Sequence, residues 1–336
     1  MTSSPGFPPI AVRRAAYVAL VTAFVHIVFG AIVRISGSGM GCGDNWPKCY
    51  GFWFPPFERM DLVIEVMHRY LAIALFVSIA VLVATVFRNR LLPSVSGRGS
   101  VANAARLALL LWFAPAIFGA VTVFTGNPVW ATVVHKLLAV SLIAVLAVAT
   151  MRAGGLGASS VVDSTGAGPT GSAKAVSGAT AATVLALLVV LLGGLTAKIP
   201  GAAVACAGFP LCGDGSLGGG AQHVQLTHRI LAYGLALHLL ALLFLFRKRN
   251  EPVVLQRAAW CGGVFALLQV VWAGWMVLGG FPGVMRSLHQ ATGILIWISA
   301  FIMLYLARIA AGRTRIAPQG TEPVGVASRL VPGTAR

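Results

Sequence analysis

Long runs of apolar residues, separated by short polar stretches, dominate the pattern of this chain. Each run is long enough to cross about 30 Å of hydrocarbon as a helix. The runs lie near 15–36, 62–87, 104–124, 130–150, 179–197, 225–246, 258–279 and 285–307. The pattern predicts an all-α polytopic membrane protein with eight transmembrane helices. Composition agrees, because 58% of the residues are hydrophobic and only 10% are charged, against roughly 25% charged in soluble proteins.

Basic residues are distributed unevenly over the connections between these runs. The odd-numbered connections contain only Lys48, Arg59, Lys198 and Arg286, and the terminal arms and even-numbered connections contain most of the others. By the positive-inside rule we expect both termini in the cytoplasm of a bacterial cell, with the protein in its plasma membrane. The net charge of +17 then reflects topology and attraction to anionic membrane lipid. It is dispersed over short loops, so a nucleic-acid partner is not expected.

The two halves of the chain resemble each other. The segment from Glu65 to Ala72 matches the segment from Gln225 to Ala232, since both contain His-Arg-x-Leu-Ala, and the stretch ending at His135 matches the one ending at His289. Each half contains an even number of helices, so both halves enter the membrane in the same orientation. We therefore predict two four-helix bundles related as parallel repeats.

The expected domain organisation follows from this repeat. A stretch rich in Gly, Ser, Ala and Thr separates the halves and is typical of a flexible linker, here a cytoplasmic one, and the polar end of the chain is expected to be disordered. The predicted parts are an N-terminal arm at 1–14, a first bundle at 15–152, a linker at 153–178, a second bundle at 179–310 and a tail at 311–336.

Four histidines occupy equivalent places in the two halves. His68, His135, His228 and His289 each lie about one turn inside the outer end of a predicted span, and the four spans run in the same direction. An ionisable side chain at membrane depth is costly, so a repeated set of them indicates a function. Two histidines per half suit bis-imidazole haem iron better than zinc, which usually has three or four protein ligands. The alternative is histidines that only pack in the core, which is how we interpret His26 and His238.

Cysteine pairs occupy two of the predicted outer loops. Cys42 and Cys49 lie in the first, and Cys206 and Cys212 lie in the third. Disulfides persist on the oxidising side of the membrane, so we expect two short bridges. One interpretation of each bridge is that it only closes its loop, and a redox role for the first pair is the open alternative.

One position distinguishes the halves chemically. Glu65 precedes His68 by three residues on the same predicted helix face, whereas the second half has Gln225 in that place. A carboxylate beside only one histidine pair suggests one working site and one accessory site. The alternative is a Glu65 side chain that reaches the interface or pairs with Arg69 or Arg59.

At this point the residues resemble a known family. Glu65-x-x-His68-Arg69 follows the cysteine loop at residues 30–51, GAIVRISGSGMGCGDNWPKCYG. Together they resemble the signature of the haem A synthase family, apart from one extra loop residue, Asn45. The resemblance implies an enzyme that oxidises the ring D methyl group of haem O to a formyl group, with oxygen from water. It implies substrate haem between His68 and His135 and a resident haem b cofactor between His228 and His289.

The resemblance also bears on roles and partners. Glu65 would be the catalytic residue, since a carboxylate near the porphyrin edge can accept protons or stabilise positive charge. Arg34, Arg69 and Arg229 suit haem propionates, although interface anchors would look the same. Partners would be a haem O synthase that delivers the substrate and a quinone that accepts electrons. A homo-oligomer stays open. The rival functions are a dihaem b-type electron-transfer protein and a haem transporter or chaperone.

Overall fold

Helices form all the regular secondary structure that the described residues contain. The structure is a computed structural model and describes residues 6–97, 99–165, 168–213 and 219–316. Its α-helices are α1 Ile10–Ile35, α2 Met60–Arg88, α3 Pro93–Ser96, α4 Val101–Phe124, α5 Val129–Arg152, α6 Ala158–Ser164, α7 Ala173–Thr196, α8 Gly219–Lys248, α9 Val253–Leu278 and α10 Gly283–Ala310. Eight of them, all except α3 and α6, are long and apolar enough to cross a membrane. The predicted all-α membrane fold is confirmed.

Helix ends follow local chemistry that hydropathy alone does not capture. Pro128, Pro252 and Pro282 occupy the N-cap positions of α5, α9 and α10, where a missing backbone N–H leaves no helical hydrogen bond unmade. Ser172 caps α7 by accepting a hydrogen bond from the backbone N–H of Ala175 at 3.0 Å. Helices therefore extend past their apolar cores, so that α8 begins at Gly219, six residues before the predicted span.

Each half of the chain packs its four long helices into a ring. In the first half α1 contacts α2 and α5, and α4 contacts the same two helices. In the second half α7 contacts α8 and α10, and α9 contacts the same two helices. Small residues permit this close approach of helices, and α1 presents a buried row of Ala15, Ala16, Ala19 and Ala23.

The two rings meet along α1, α5, α7 and α10. Trp297 of α10 is buried there, and its indole N–H donates a hydrogen bond to the Val140 carbonyl of α5 at 3.1 Å. The indole thus crosses the interface between the halves. A second hydrogen bond joins the same two helices, because Arg152 of α5 donates to the hydroxyl of Tyr305 of α10 at 3.0 Å.

The segment predicted as a linker at 153–178 contains secondary structure. Helix α6 lies within it, with Ala158 and Val161 buried, and the backbone N–H of Leu156 donates to the Tyr17 hydroxyl at 2.8 Å. The fifth long helix begins at Ala173, earlier than the predicted 179. Of the predicted tail, residues 317–336 lie outside the described residues, as do residues 1–5 of the predicted arm.

The contact of Trp297 generates a stability prediction. Trp297→Phe removes the donor to Val140 and part of a buried ring, so we expect a loss of about 1 to 3 kcal/mol in unfolding free energy. The measurement is the thermal unfolding midpoint of purified protein in detergent. Trp130→Phe is the control, because Trp130 is 56% exposed and its change should stay within about 0.5 kcal/mol. Equal shifts for the two variants would contradict the role assigned to Trp297.

Candidate functional site

The histidines of the first half lie against the neighbouring helices of their ring. His68 of α2 packs on α1, where a Cβ added at Gly30 would lie 3.0 Å from its Cε1 atom. The same imidazole stacks on His26, with ring centroids 4.4 Å apart. His135 of α5 packs on α4, beside Gly119, and its Nδ1 atom is hydrogen-bonded to the Pro115 carbonyl at 2.8 Å. Glycines thus make room for both rings.

The histidines of the second half occupy corresponding places. His228 of α8 packs on α7, where a Cβ added at Gly193 would lie 2.9 Å from its Cε1 atom. His289 of α10 faces α9, and its Nε2 atom lies 3.2 Å from the Nε2 atom of Gln269. The chain position of Pro115 relative to His135 equals that of Gln269 relative to His289. Each half therefore holds one histidine against a glycine and the other against a polar partner.

Buried imidazole nitrogens test whether these rings only pack. The Nδ1 atoms of His68, His228 and His289 are buried and have no hydrogen-bond partner among the described residues. An unsatisfied buried polar group costs about 1 to 3 kcal/mol, so core histidines normally find partners. His135 instead commits Nδ1 to a carbonyl, which leaves Nε2 with a free lone pair, the usual arrangement of a metal-ligating histidine. Packing alone therefore leaves three of the four imidazoles with an unsatisfied nitrogen, and it leaves the Nε2 atom of His135 free for a further ligand.

A cavity in the second half brings His228 and His289 together. It lies between α7, α8, α9 and α10, and most of its lining is apolar, which suits a flat macrocycle. Four cationic side chains also line it, namely Arg34, Lys136, Arg229 and Arg286, and its described lining includes no carboxylate. The histidines and the basic groups are therefore parts of one site. Lys198 lies just after the end of α7. Partial burial lowers its pKa most, and the nearby positive charge of Arg34 lowers it further.

Glu65 connects the first histidine pair to the first cysteine loop. Its carboxylate is 5% exposed, accepts a hydrogen bond from the backbone N–H of Cys42 at 2.9 Å and forms an ion pair with Arg69 at 2.5 Å. Arg69 in turn donates to the Pro47 carbonyl at 2.9 Å. The pairing with Arg69 is the alternative that the sequence left open, and a catalytic role for Glu65 stays a prediction.

Gln225 makes the matching contacts in the second half. Its side-chain carbonyl accepts from the backbone N–H of Cys206 at 2.6 Å, and its amide donates to the Ala203 carbonyl at 2.9 Å. Arg229 donates to the Cys206 carbonyl at 2.9 Å and to the Leu211 carbonyl at 2.8 Å. The two halves thus anchor their loops in the same way, with a carboxylate in one and an amide in the other.

Both cysteine pairs are bonded. Cys42 is joined to Cys49 with a Cα separation of 5.0 Å, and Cys206 is joined to Cys212 with a Cα separation of 4.2 Å. Each bridge closes the loop that Glu65 or Gln225 holds at its first cysteine. The bridges therefore fix the loops above the two histidine pairs.

Sequence reasoning missed part of this site. Lys136 directly follows His135 in an apolar segment, and a charge at membrane depth is a signal for function that could have identified it. His26 stacks on a predicted ligand, which the expectation of simple helix packing does not describe. His238 bonds to the Gly178 carbonyl of α7 at 2.9 Å and lies with α7, as a packing residue would. Arg34 belongs to α1 but lines the cavity of the second half.

These features define a class of protein, an α-helical membrane protein with paired intramembrane histidines under disulfide-closed loops. The model of the cytochrome oxidase assembly protein family matches residues 13–65 and 142–301. The chain therefore belongs to the cytochrome oxidase assembly protein family. It is similar to the heme A synthase of an Exiguobacterium species, 28% identical over 265 residues that cover 78% of this chain and 82% of the relative.

Two other relatives carry the same name. The heme A synthase of Exiguobacterium sibiricum is 26% identical over 279 residues, which cover 80% of this chain and 86% of the relative. That of Geobacillus kaustophilus is 32% identical over 122 residues, which cover 36% of each chain. The first two similarities extend over most of both chains and support the family assignment.

The close contact at Gly193 generates a prediction for the second site. Gly193→Ala places a Cβ against the His228 ring, and overpacking of this kind costs about 1 to 3 kcal/mol. We expect purified protein to retain haem about tenfold more weakly, measured by absorbance during dilution. Gly234→Ala is the control, because an added Cβ there meets nothing within 4 Å. Haem retention unchanged by Gly193→Ala would remove His228 from the site.

Proposed function

We propose that the chain is a haem A synthase, an oxidoreductase that converts haem O to haem A. The observation that carries the proposal is the family match at residues 13–65 and 142–301, combined with buried histidine nitrogens that lack partners among the described residues. Oxidation of a methyl group to a formyl group with water as the oxygen source releases four electrons and four protons per substrate. We propose water as that source and a quinone as the acceptor.

The first half is the proposed substrate site, with His68 and His135 as ligands of the haem O iron. Two differences between the halves support this choice. The first difference is Glu65, where the second half has Gln225. The second is His26, four residues before the glycine that faces His68, because the residue four before the glycine that faces His228 is Val189. The first histidine pair thus has a carboxylate and a third imidazole beside it, which can handle protons, whereas the second half has Gln225 and Val189 in those places.

The second half is the proposed site of a resident haem b. His228 and His289 would hold its iron, and the apolar cavity walls would enclose the ring. When bound, such a haem accepts and passes on single electrons. The chain's own contribution is to position the two imidazoles through Gly193 and Gln269 and to exclude water from the ring.

Glu65 is the proposed catalytic residue. Both of its carboxylate oxygens are engaged, one by Arg69 and one by the Cys42 backbone N–H. Proton acceptance would require one of these contacts to open, whereas electrostatic stabilisation of a positively charged transition state would not. We therefore favour electrostatic stabilisation as its first role and proton transfer as a second.

The remaining expectations belong to the same proposal. The first bundle, at 15–152, would bind substrate and the second, at 179–310, would bind the cofactor. Both termini would face the cytoplasm of a bacterial cell, with the haem sites towards the outer face of the plasma membrane. A haem O synthase would supply the substrate. A dihaem electron-transfer protein would share the histidines but would not need Glu65.

Glu65→Gln tests the proposal, because it copies Gln225 of the second half. Gln225 keeps the bond to its loop, so we expect folding and haem binding to survive. The haem A yield should fall by about 10² to 10³-fold, the typical effect of losing one group that stabilises transition-state charge, while haem O or a hydroxylated intermediate accumulates. The measurement is chromatography of extracted haem at equal expression.

Asp61→Asn provides the matched control. Asp61 lies one turn before Glu65 on α2 and pairs with the exposed Arg59, so its loss should leave haem A close to normal. A normal haem A yield from Glu65→Gln would contradict the catalytic assignment and favour the electron-transfer alternative.

A further inference from the structure

The cavity of the second half carries a surplus of positive charge. Arg34, Lys136, Arg229 and Arg286 line it, and no carboxylate does so among the lining residues that the structure describes. Six of the eight acidic residues lie in the described ranges. The ion pairs among them join Arg59 to Asp61 and Arg69 to Glu65, and neither pair belongs to this cavity.

The four cations are not equivalent. Arg229 donates hydrogen bonds to the carbonyls of Cys206, Gly208 and Leu211. Its guanidinium group is therefore engaged by the third outer loop. Lys136 has one polar contact, to the side-chain carbonyl of Gln290 at 3.4 Å. For Arg34 and Arg286 the described residues provide no hydrogen bond or ion pair. Three cations in one apolar cavity thus lack a counter-charge.

Two of these three cations come from the other half of the chain. Arg34 lies in the last turn of α1, and Lys136 lies on α5 next to His135. Lys136 crosses to the second half, where its Nζ atom lies 3.2 Å from the position of a Cβ added at Gly194 of α7. Arg286 alone belongs to the second half, in the first turn of α10. The basic set therefore exists only where the halves meet.

The repeat shows that this set is built for one cavity. The residue after His135 is Lys136, whereas the residue after His289 is Gln290, and the position of Arg286 corresponds to Thr132 in the first half. Thr132 bonds to the side chain of Asn127 and to the Pro128 carbonyl, each at 2.9 Å. Each half thus has a cation at one of the two positions, Lys136 in the first half and Arg286 in the second, and both of these side chains line the cavity of the second half. Symmetry of the scaffold does not extend to these charges.

Uncompensated charge at this depth is costly. Lys136 lies about two turns inside α5, where an unpaired charge is costly, and a buried charge without its partner is strongly destabilising. An anionic occupant removes this cost. A guanidinium fork and an ammonium group are the usual partners of carboxylates, and the adjacent histidines indicate a haem, which carries two propionate groups.

We propose that Arg34, Lys136 and Arg286 form the carboxylate-binding subsite of the resident haem, so that both halves of the chain hold one cofactor. The inference rests on the proposed function. Lys136 follows the proposed substrate-site ligand His135 in the sequence, lines the second-half cavity and contacts Gln290, which follows the proposed resident-haem ligand His289. Its charge stabilises the reduced haem and therefore raises the reduction potential of the cofactor.

The test uses Lys136→Gln, which copies Gln290 of the other half, in the full-length purified protein. The low-spin spectrum should persist, because the iron ligands are unchanged. Loss of haem to an apomyoglobin acceptor should become about 10- to 100-fold faster, as expected for one charged hydrogen bond, and the midpoint potential should fall. Lys136→Arg should keep both properties near those of the wild type. Lys174→Gln, at the opposite end of the helix facing Lys136, is the control.

A second measurement separates this proposal from a structural role of Lys136. In full-length protein prepared without haem, Lys136→Gln should raise the thermal unfolding midpoint, because the substitution removes an unpaired charge. In the haem-bound protein the same substitution should lower the midpoint, because it removes a partner of the haem. A lower midpoint in the haem-free protein would overturn the proposal by showing a counter-charge within the chain. Unchanged haem loss and potential would overturn it too. Wild-type protein unable to hold haem in this half would instead overturn the proposed function.

Discussion

Buried imidazoles without protein partners are the constraint on which this structure depends. A polar group inside a bilayer must find a partner, because no water is available there. Three of the four paired histidines have a ring nitrogen with no partner among the described residues. The protein nevertheless makes room for the rings, with Gly30 beside His68 and Gly193 beside His228. In our proposal the haem irons are the missing partners of these imidazoles.

The scaffold is nearly the same in the two halves, and the chemistry lies in the differences. Both halves pack four helices in a ring and anchor a disulfide-closed loop through a side chain three residues before a histidine. Glu65 against Gln225 gives the first half a carboxylate, and Lys136 against Gln290 gives the second half's cavity a cation. In our proposal the first difference supports oxidation of the substrate and the second supports retention of the cofactor. In the same proposal, one fold holds two haems for different purposes.

Much of this arrangement follows from the sequence because the membrane restricts the alternatives. A spanning segment must satisfy its backbone internally, so apolar runs predict helices, and all eight are found. The ends are less predictable, since capping by Ser172 and the proline N-caps depends on local chemistry. The contact of Glu65 with Arg69 was foreseen only as an alternative, and its contact with the Cys42 backbone was not foreseen. Arg34 and Arg229 were expected beside haem propionates, but the gathering of Arg34, Lys136 and Arg286 in one cavity was not, because it depends on packing between the halves, which no local pattern encodes.

The central claim is that the first half binds the substrate haem and the second half binds the cofactor. Chromatography of haem extracted from the purified His68→Ala/His135→Ala double variant tests it most directly. The account predicts that this variant retains haem b at about the wild-type ratio to protein, because His228 and His289 are intact, and contains no haem O or haem A. Recovery of haem A from the variant, or loss of haem b with retention of haem O, would contradict the division of roles between the halves.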